Sequence, residues 1–157
     1  MENYQKETEN KMMYRKFAIT MGISFCVMYL IMFINIVNID HFYVSLTRIY
    51  MAVLMVCTMA VIMLLMMGKM YPNKKINKII MVSAVLAFGI ILTALRTQTP
   101  VGDEQYMKAM IPHHSSAIMT SENANIKDPE VRKLADGIIA AQKKEIAEMK
   151  AILARMK

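Results

Sequence analysis

The stretch Ile49-Tyr50-Met51-Ala52-Val53-Leu54-Met55-Val56-Cys57-Thr58-Met59-Ala60-Val61-Ile62-Met63-Leu64-Leu65-Met66-Met67 carries no charged residue, and its reading decides the fold. A soluble helix is apolar along one stripe, whereas this one is apolar all round, the pattern of a helix buried in a large core or in a membrane. Its length approaches the roughly 20 residues that cross a hydrocarbon layer of about 30 Å. Two further uncharged runs flank it, Phe17–Val37 and Ile79–Leu95. A chain of 157 residues that is 56% hydrophobic has too little other mass to bury all three inside a soluble core. The sequence therefore predicts three transmembrane helices, the third being the shortest. The first run exceeds the usual apolar core of a signal peptide, and Asn38-Ile39-Asp40-His41 follows it with no small-x-small cleavage site. It reads as an uncleaved signal anchor.

Basic residues set the expected orientation. Lys6, Lys11, Arg15 and Lys16 precede the first run, and Lys69, Lys74, Lys75 and Lys78 follow the second. Only Arg48 lies between the first two runs. The positive-inside rule then places the N-terminus and the Lys-rich loop in the cytoplasm, and everything after Leu95 outside. The net charge of +7 is thus a topology signal rather than a nucleic-acid footprint. Cys26 and Cys57 fall inside the first two runs with no second cysteine near either, so they read as small buried hydrophobes.

Four regions follow: a cytoplasmic tail (1–16), a three-helix membrane part (17–95), a linker (96–102) and a C-terminal domain (103–157). Pro100 and Gly102 mark the linker. Asp103 is expected to cap a helix running to about Asn123. Ala124-Asn125-Ile126-Lys127 makes a turn, and Asp128-Pro129-Glu130 is a strong start signal for a second helix reaching nearly to Lys157. A two-helix hairpin of this size buries little surface by itself. It is expected to pack on the membrane part or on a second copy of itself, completing a four-helix bundle of the kind that holds metals between facing helices.

At 100° per residue, Met107, Met110, His114, Ile118 and Ser121 share one face of the first C-terminal helix. His113 sits on the shoulder of that face, so His114 is the better inward ligand. Pro112, inside the helix, removes an amide one turn after Lys108 and is expected to kink the chain there; the bland reading is that it starts a new helix. On the second helix Val131, Ile138, Gln142, Glu145, Met149 and Met156 form a stripe, widened by Leu134, Ile146, Ile152 and Leu153. Glu145 has no basic residue three or four places away on its own helix, where Ala141, Gln142, Glu148 and Met149 stand. A buried carboxylate without a partner is costly, so its partner is expected from another helix, either directly or as the group orienting a metal-bound histidine. Imidazole and thioether form a nitrogen/sulfur donor set that suits copper. The candidate metal ligands are therefore His113, His114, Met107, Met110, Gln142, Glu145 and Met149.

Other features have plainer readings. Met51, Met55, Met59, Met63 and Met67 resemble a copper ladder, but four-residue steps drift about 40° each on an ideal helix, which favours packing filler. His41 reads as an interfacial residue, with Asp40 an accessory ligand at most, and Asn35 as an interhelical hydrogen-bonding group. Ser115 and Ser116 lack any nucleophile elbow, HExxH spacing is absent, and no catalytic constellation appears. Binding is favoured over catalysis, and a third reading, an oxidoreductase using the metal, stays open with no supporting residue of its own.

Residues Tyr106-Met107-Lys108-Ala109-Met110-Ile111-Pro112-His113-His114, then Ala117-Ile118-Met119, and the distal Ile138-Ile139-Ala140-Ala141-Gln142 and Glu145-Ile146-Ala147-Glu148-Met149 resemble the domain-of-unknown-function 305 family. The resemblance covers Asp103–Leu153, and the Met-Gly-Lys-Met-Tyr-Pro-Asn-Lys-Lys loop is similar to that of membrane-anchored relatives. It implies a ferritin-like helical fold, export or membrane anchoring, and copper binding outside the cytoplasm. This chain has Ser115-Ser116 where members often carry Gln-Met or Gln-Gln, so any ligand from there is missing. The combined expectation is an all-α protein of a bacterial inner membrane, with three transmembrane helices and an extracytoplasmic hairpin forming half a bundle, completed by dimerisation. It would hold Cu(I) or Cu(II) for buffering, delivery or resistance. The lipid bilayer, a second copy and a copper-handling protein are its expected partners, with no nucleic acid. The competing expectation is a metal-free assembly module whose His/Glu network fixes helix packing.

Overall fold

The apolar runs become helices, but the first one ends early. A computed structural model describes residues 1–156, and the side chains of all of these but Glu2, Asn3 and Lys6. It contains α1 (Glu2–Ile31), α2 (Leu46–Met66), α3 (Lys74–Thr97), α4 (Asp103–Asn123) and α5 (Pro129–Arg155), with a single 3-10 turn at Ile39–His41 between α1 and α2. The described residues form no strand. Three helices are long and apolar enough to cross a membrane: Glu7–Ile31, Leu46–Met66 and Lys74–Thr97.

The chain divides into two compact units. Unit 1 joins Met1–Leu30 to Ile49–Thr99, and unit 2 joins Ile31–Arg48 to the chain from Pro100 onward. Segment 31–48, assigned by hydropathy to the membrane region, therefore belongs with the C-terminal helices. Its Met32–Val37 portion is apolar apart from Asn35, so hydropathy alone cannot separate it from the helix before it.

In unit 1, Phe17, Ala60, Leu64, Tyr71 and Ala84 form the buried core. At the Lys-rich end the Tyr14 hydroxyl donates to Asn77 Oδ1 (2.7 Å), while Asn77 Nδ2 donates to the Tyr71 carbonyl (2.7 Å). Asn73 caps α3, its Oδ1 accepting from the amides of Lys75 and Ile76. Elsewhere the unit is apolar outward: Ala84 is the buried residue of α3, and Val85, Leu86 and Ile90 are exposed. An outward apolar surface of that extent suits lipid rather than water.

In unit 2, α4 and α5 pack through Met107, Ile111, Ile118, Ile146 and Leu153, with Tyr43, Ile139 and Met149 against them. α4 continues through the fully buried Pro112 instead of restarting there. Its N-cap is Gly102, one residue before the expected Asp103, and makes no side-chain cap bond; Asp103 and Glu104 lie in the first turn, where their charge complements the helix dipole. Asp128 caps α5 as expected, its Oδ1 accepting from Glu130 N (2.9 Å) and Val131 N (3.0 Å), with Pro129 first in the helix. The inward stripe of α5 differs from the expected one. Ala135, Ile146 and Leu153 are buried, whereas Val131, Leu134, Ile138, Ile152 and Met156 are exposed. The helix is apolar over a wider arc than α4 covers.

Candidate functional site

His114 projects from α4 into its interface with α5 and is only 8% exposed. Its Nδ1 lies 2.9 Å from the Met110 carbonyl and its Nε2 lies 2.6 Å from Glu145 Oε2. A carbonyl can only accept, so Nδ1 carries a proton and donates it to Met110. The short Nε2–carboxylate contact then requires one more proton, held either as imidazolium facing carboxylate or as neutral imidazole facing carboxylic acid. Glu145 thus finds its partner on another helix, as the lack of a basic residue three or four places away on α5 requires. It is not buried: its side chain is 50% exposed. It can swing away without the cost of leaving a charge in an apolar core.

The other candidates fall in different places. His113 is exposed, with its ring centroid 5.9 Å from that of His114, as the 100° step between neighbours demands. Met107 and Met149 are committed to the apolar core of unit 2. Met110 is half-buried. Gln142, one turn before Glu145 on α5, is half-buried, and its Oε1 is buried with no hydrogen-bond partner. Such an orphaned acceptor is costly, and it is the feature beside the His–Glu pair that protein atoms leave unexplained. Among the described residues no group of three or more His, Cys, Asp or Glu side chains could hold a metal.

The residues fit copper in part. A histidine whose Nδ1–H is tied to a backbone carbonyl presents Nε2 as its one lone pair, the usual posture of a metal-ligating imidazole. Here the proton shared with Glu145 occupies that position. His114 Nε2, a displaced Glu145 carboxylate and Gln142 Oε1 are the donors within the α4–α5 layer, with His113 at its rim.

A polar cluster that the sequence reading passed over lies next along α4. Ser115, fully buried, holds segment 31–48 in place: its Oγ accepts from Val37 N (2.8 Å) and meets His41 Nδ1 (2.8 Å). The other ring nitrogen of His41, Nε2, lies 3.6 Å from Asp40 Oδ1. Asn35 Nδ2 donates to Ser116 Oγ at 2.6 Å, and Leu46 N donates to Gln105 Oε1 at 3.0 Å. Lys150 of α5 pairs with Asp40. The segment also closes on itself: Arg48 donates to the Met32 carbonyl and lies 4.2 Å over the Phe33 ring, whose centroid is 4.1 Å from that of Phe42. Burial holds the His41 imidazole below its ordinary value, with Asp40 opposing that effect and Lys150 adding to it. The hydrogen bond from Lys150 holds the Asp40 carboxyl below the usual carboxylate range. Asn35 therefore bonds a second helix, but from a turn after α1 has ended rather than from inside a span. The available signal was the concentration of Asn35, Asn38, Asp40 and His41 after an apolar run, opposite two adjacent serines.

The fold and the pair define a class: an all-helical protein with membrane-type helices and an α4–α5 layer bridged by histidine and glutamate. The family described as domain of unknown function (DUF305) matches residues 86–154, and the chain belongs to it. Uncharacterized protein L153 of Acanthamoeba polyphaga mimivirus is 41% identical to it over 106 residues, covering 66% of this chain and 68% of that protein. No solved structure matches.

Proposed function

We propose that this protein is anchored in a membrane by three spans and binds copper between α4 and α5 on the extracytoplasmic side, for buffering or delivery. The observation that carries the reading is His114, oriented through Nδ1 with Nε2 facing a carboxylate that can move, beside the orphaned Oε1 of Gln142. His114 and Glu145 are the first ligands, with His113 and Gln142 completing the set and Met110 the nearest thioether in sequence. Met107 and Met149 join only if the apolar core opens. Imidazole with a thioether selects copper over magnesium or calcium. The lysine distribution supports a cytoplasmic N-terminus, and a bacterial inner membrane is the setting proposed. The apolar residues that α5 leaves exposed, Val131, Leu134 and Ile138 among them, are the face on which a second copy packs.

The test is metal analysis of the full-length chain purified from membranes, followed by titration with Cu(I) and Cu(II). Stoichiometric copper, one equivalent of which is lost in the His113→Ala/His114→Ala variant, is the expected result. Equal binding by that variant sinks the proposal. One observation favours a second reading, in which the pair is a metal-free clasp fixing helix register: both nitrogens of His114 already have protein partners. In that case the His113→Ala/His114→Ala variant binds as much copper as the unaltered chain, and chelator leaves the stability of unit 2 unchanged.

A further inference from the structure

Unit 1 has a feature for which the hairpin offers no account. A groove of about 420 Å³ is lined by Met28 of α1, Met51, Met55, Thr58 and Met59 of α2, and Phe88 of α3. Four-residue steps rotate about 40° each, so Met51 to Met59 span about 80° of α2 and share one face. The drift removes Met63 from that face. Its sulfur instead accepts from the Tyr71 hydroxyl at 3.8 Å, and it packs against the unit 1 core. The methionine stripe of α2 is therefore two things: a filler at Met63, and an outward-facing set at Met51, Met55 and Met59 that Met28 joins from a second helix.

The chemistry of the lining is narrow. It holds no carboxylate, imidazole or thiol, and the Thr58 hydroxyl donates to the Leu54 carbonyl at 2.9 Å, leaving oxygen lone pairs free. Hard divalent cations find no anionic oxygen there. Uncharged, polarisable thioethers suit a soft monovalent cation, and soft sulfur ligands select Cu(I). The Phe88 ring supplies a further face for a cation. A single charge is also the least costly to hold at membrane depth. Access is short: Met28 is about 4.5 Å along the helix from the end of α1, and Met51 about 7.5 Å from the start of α2, so the groove begins close to the ends of both helices.

We propose that Met28, Met51, Met55 and Met59 form a second, thioether-only site for Cu(I) in unit 1. This site does not depend on the α4–α5 site, and the experiment separates them. The full chain is reconstituted in lipid nanodiscs with His113→Ala, His114→Ala and Glu145→Gln present to silence unit 2, and Cu(I) is titrated against a chromogenic chelator. One equivalent of Cu(I) should remain, and adding Met51→Leu, Met55→Leu and Met59→Leu should weaken it by roughly 10- to 100-fold, the scale on which metal sites respond to lost support. Leucine conserves volume, and the single Met55→Leu variant serves if the triple one misfolds. Copper bound to selenomethionine-labelled protein in the silenced background should show copper–selenium scattering. The proposal is overturned if the silenced chain binds no Cu(I), as a groove that holds only an acyl chain would, if the leucine variants bind as tightly, or if the copper shell contains only nitrogen and oxygen. With both sites real the unaltered chain takes two equivalents; with only this one, it and the silenced chain each take one.

Discussion

Two adjacent residues of α4 show how neighbours divide labour on a helix. His114 reaches across to Glu145, while Ser115, turned 100° further round, reaches segment 31–48. Ser115 is fully buried and serves a backbone amide and an imidazole at once. Ser115→Ala takes the serine oxygen away from the Val37 amide and from His41 Nδ1, and a buried donor or acceptor left unmade costs about 1–3 kcal/mol. The variant should lose that much stability in chemical denaturation, and amide exchange should rise at Val37. His114 and Glu145 should respond less steeply to removal of the carboxylate, because half of the Glu145 side chain already faces water. If Ser115→Ala proves neutral in both readouts, the serine is not what holds the segment.

At the scale of elements, segment 31–48 acts as a strap tied to α4 by Asn35, Val37, His41 and Leu46, and to α5 by Asp40. Burial lowers the folded-state affinity of His41 for a proton relative to its ordinary value of 6.5. The stability it contributes is therefore complete above about 6.5 and declines as pH falls through the lower folded value. Asp40, held down by Lys150, contributes above its ordinary value of 3.8 and fades only at lower pH, so the two effects occupy different windows. The protection of strap amides against hydrogen exchange, corrected for the intrinsic rate at each pH, should fall below about pH 6.5, and His41→Gln should flatten that dependence; an unchanged profile would remove His41 as its cause. Much of the architecture was legible. Uncharged runs mark α2 and α3, and Asp128-Pro129-Glu130 marks the start of α5 because its chemistry is local. The strap was not, since Asn35 and Ser116 lie 81 positions apart and nothing local announces that they meet. The unpartnered surroundings of Glu145 pointed correctly to another helix. The inward stripe of α5 was misplaced because that helix is apolar over a wide arc, and only its partner decides which part is covered.

For the whole molecule, the composition of unit 2 bears on topology. It joins the chain before α2 to the chain after α3, with two apolar helices between. Two segments can share one aqueous side only if an even number of crossings separates them, so α2 and α3 cross together or neither does. The exposed apolar surface of α3 favours crossing, and the orientation proposed above puts the lysine-rich α2–α3 loop on the cytoplasmic side. Single cysteines introduced at Asn38, Lys75 and Asn125, after Cys26 and Cys57 are replaced by alanine, test this directly. Asn38 and Asn125 are both exposed, so a membrane-impermeant maleimide applied to intact cells should label those two positions and spare Lys75 until the membrane is permeabilised. Labelling of Lys75 with protection of the other two would reverse the orientation while keeping unit 2 together. Labelling that separates Asn38 from Asn125 would break unit 2 itself. The same composition makes residues 97–157 an incomplete unit: without Tyr43 and the bonds from segment 31–48, the hairpin loses part of its packing and its whole polar tether. Expressed alone, that fragment should unfold at lower denaturant than unit 2 within the intact chain. Fusing residues 31–48 to its N-terminus through a flexible linker should restore part of the difference, because the strap recognises α4 and α5 through contacts the fragment still carries.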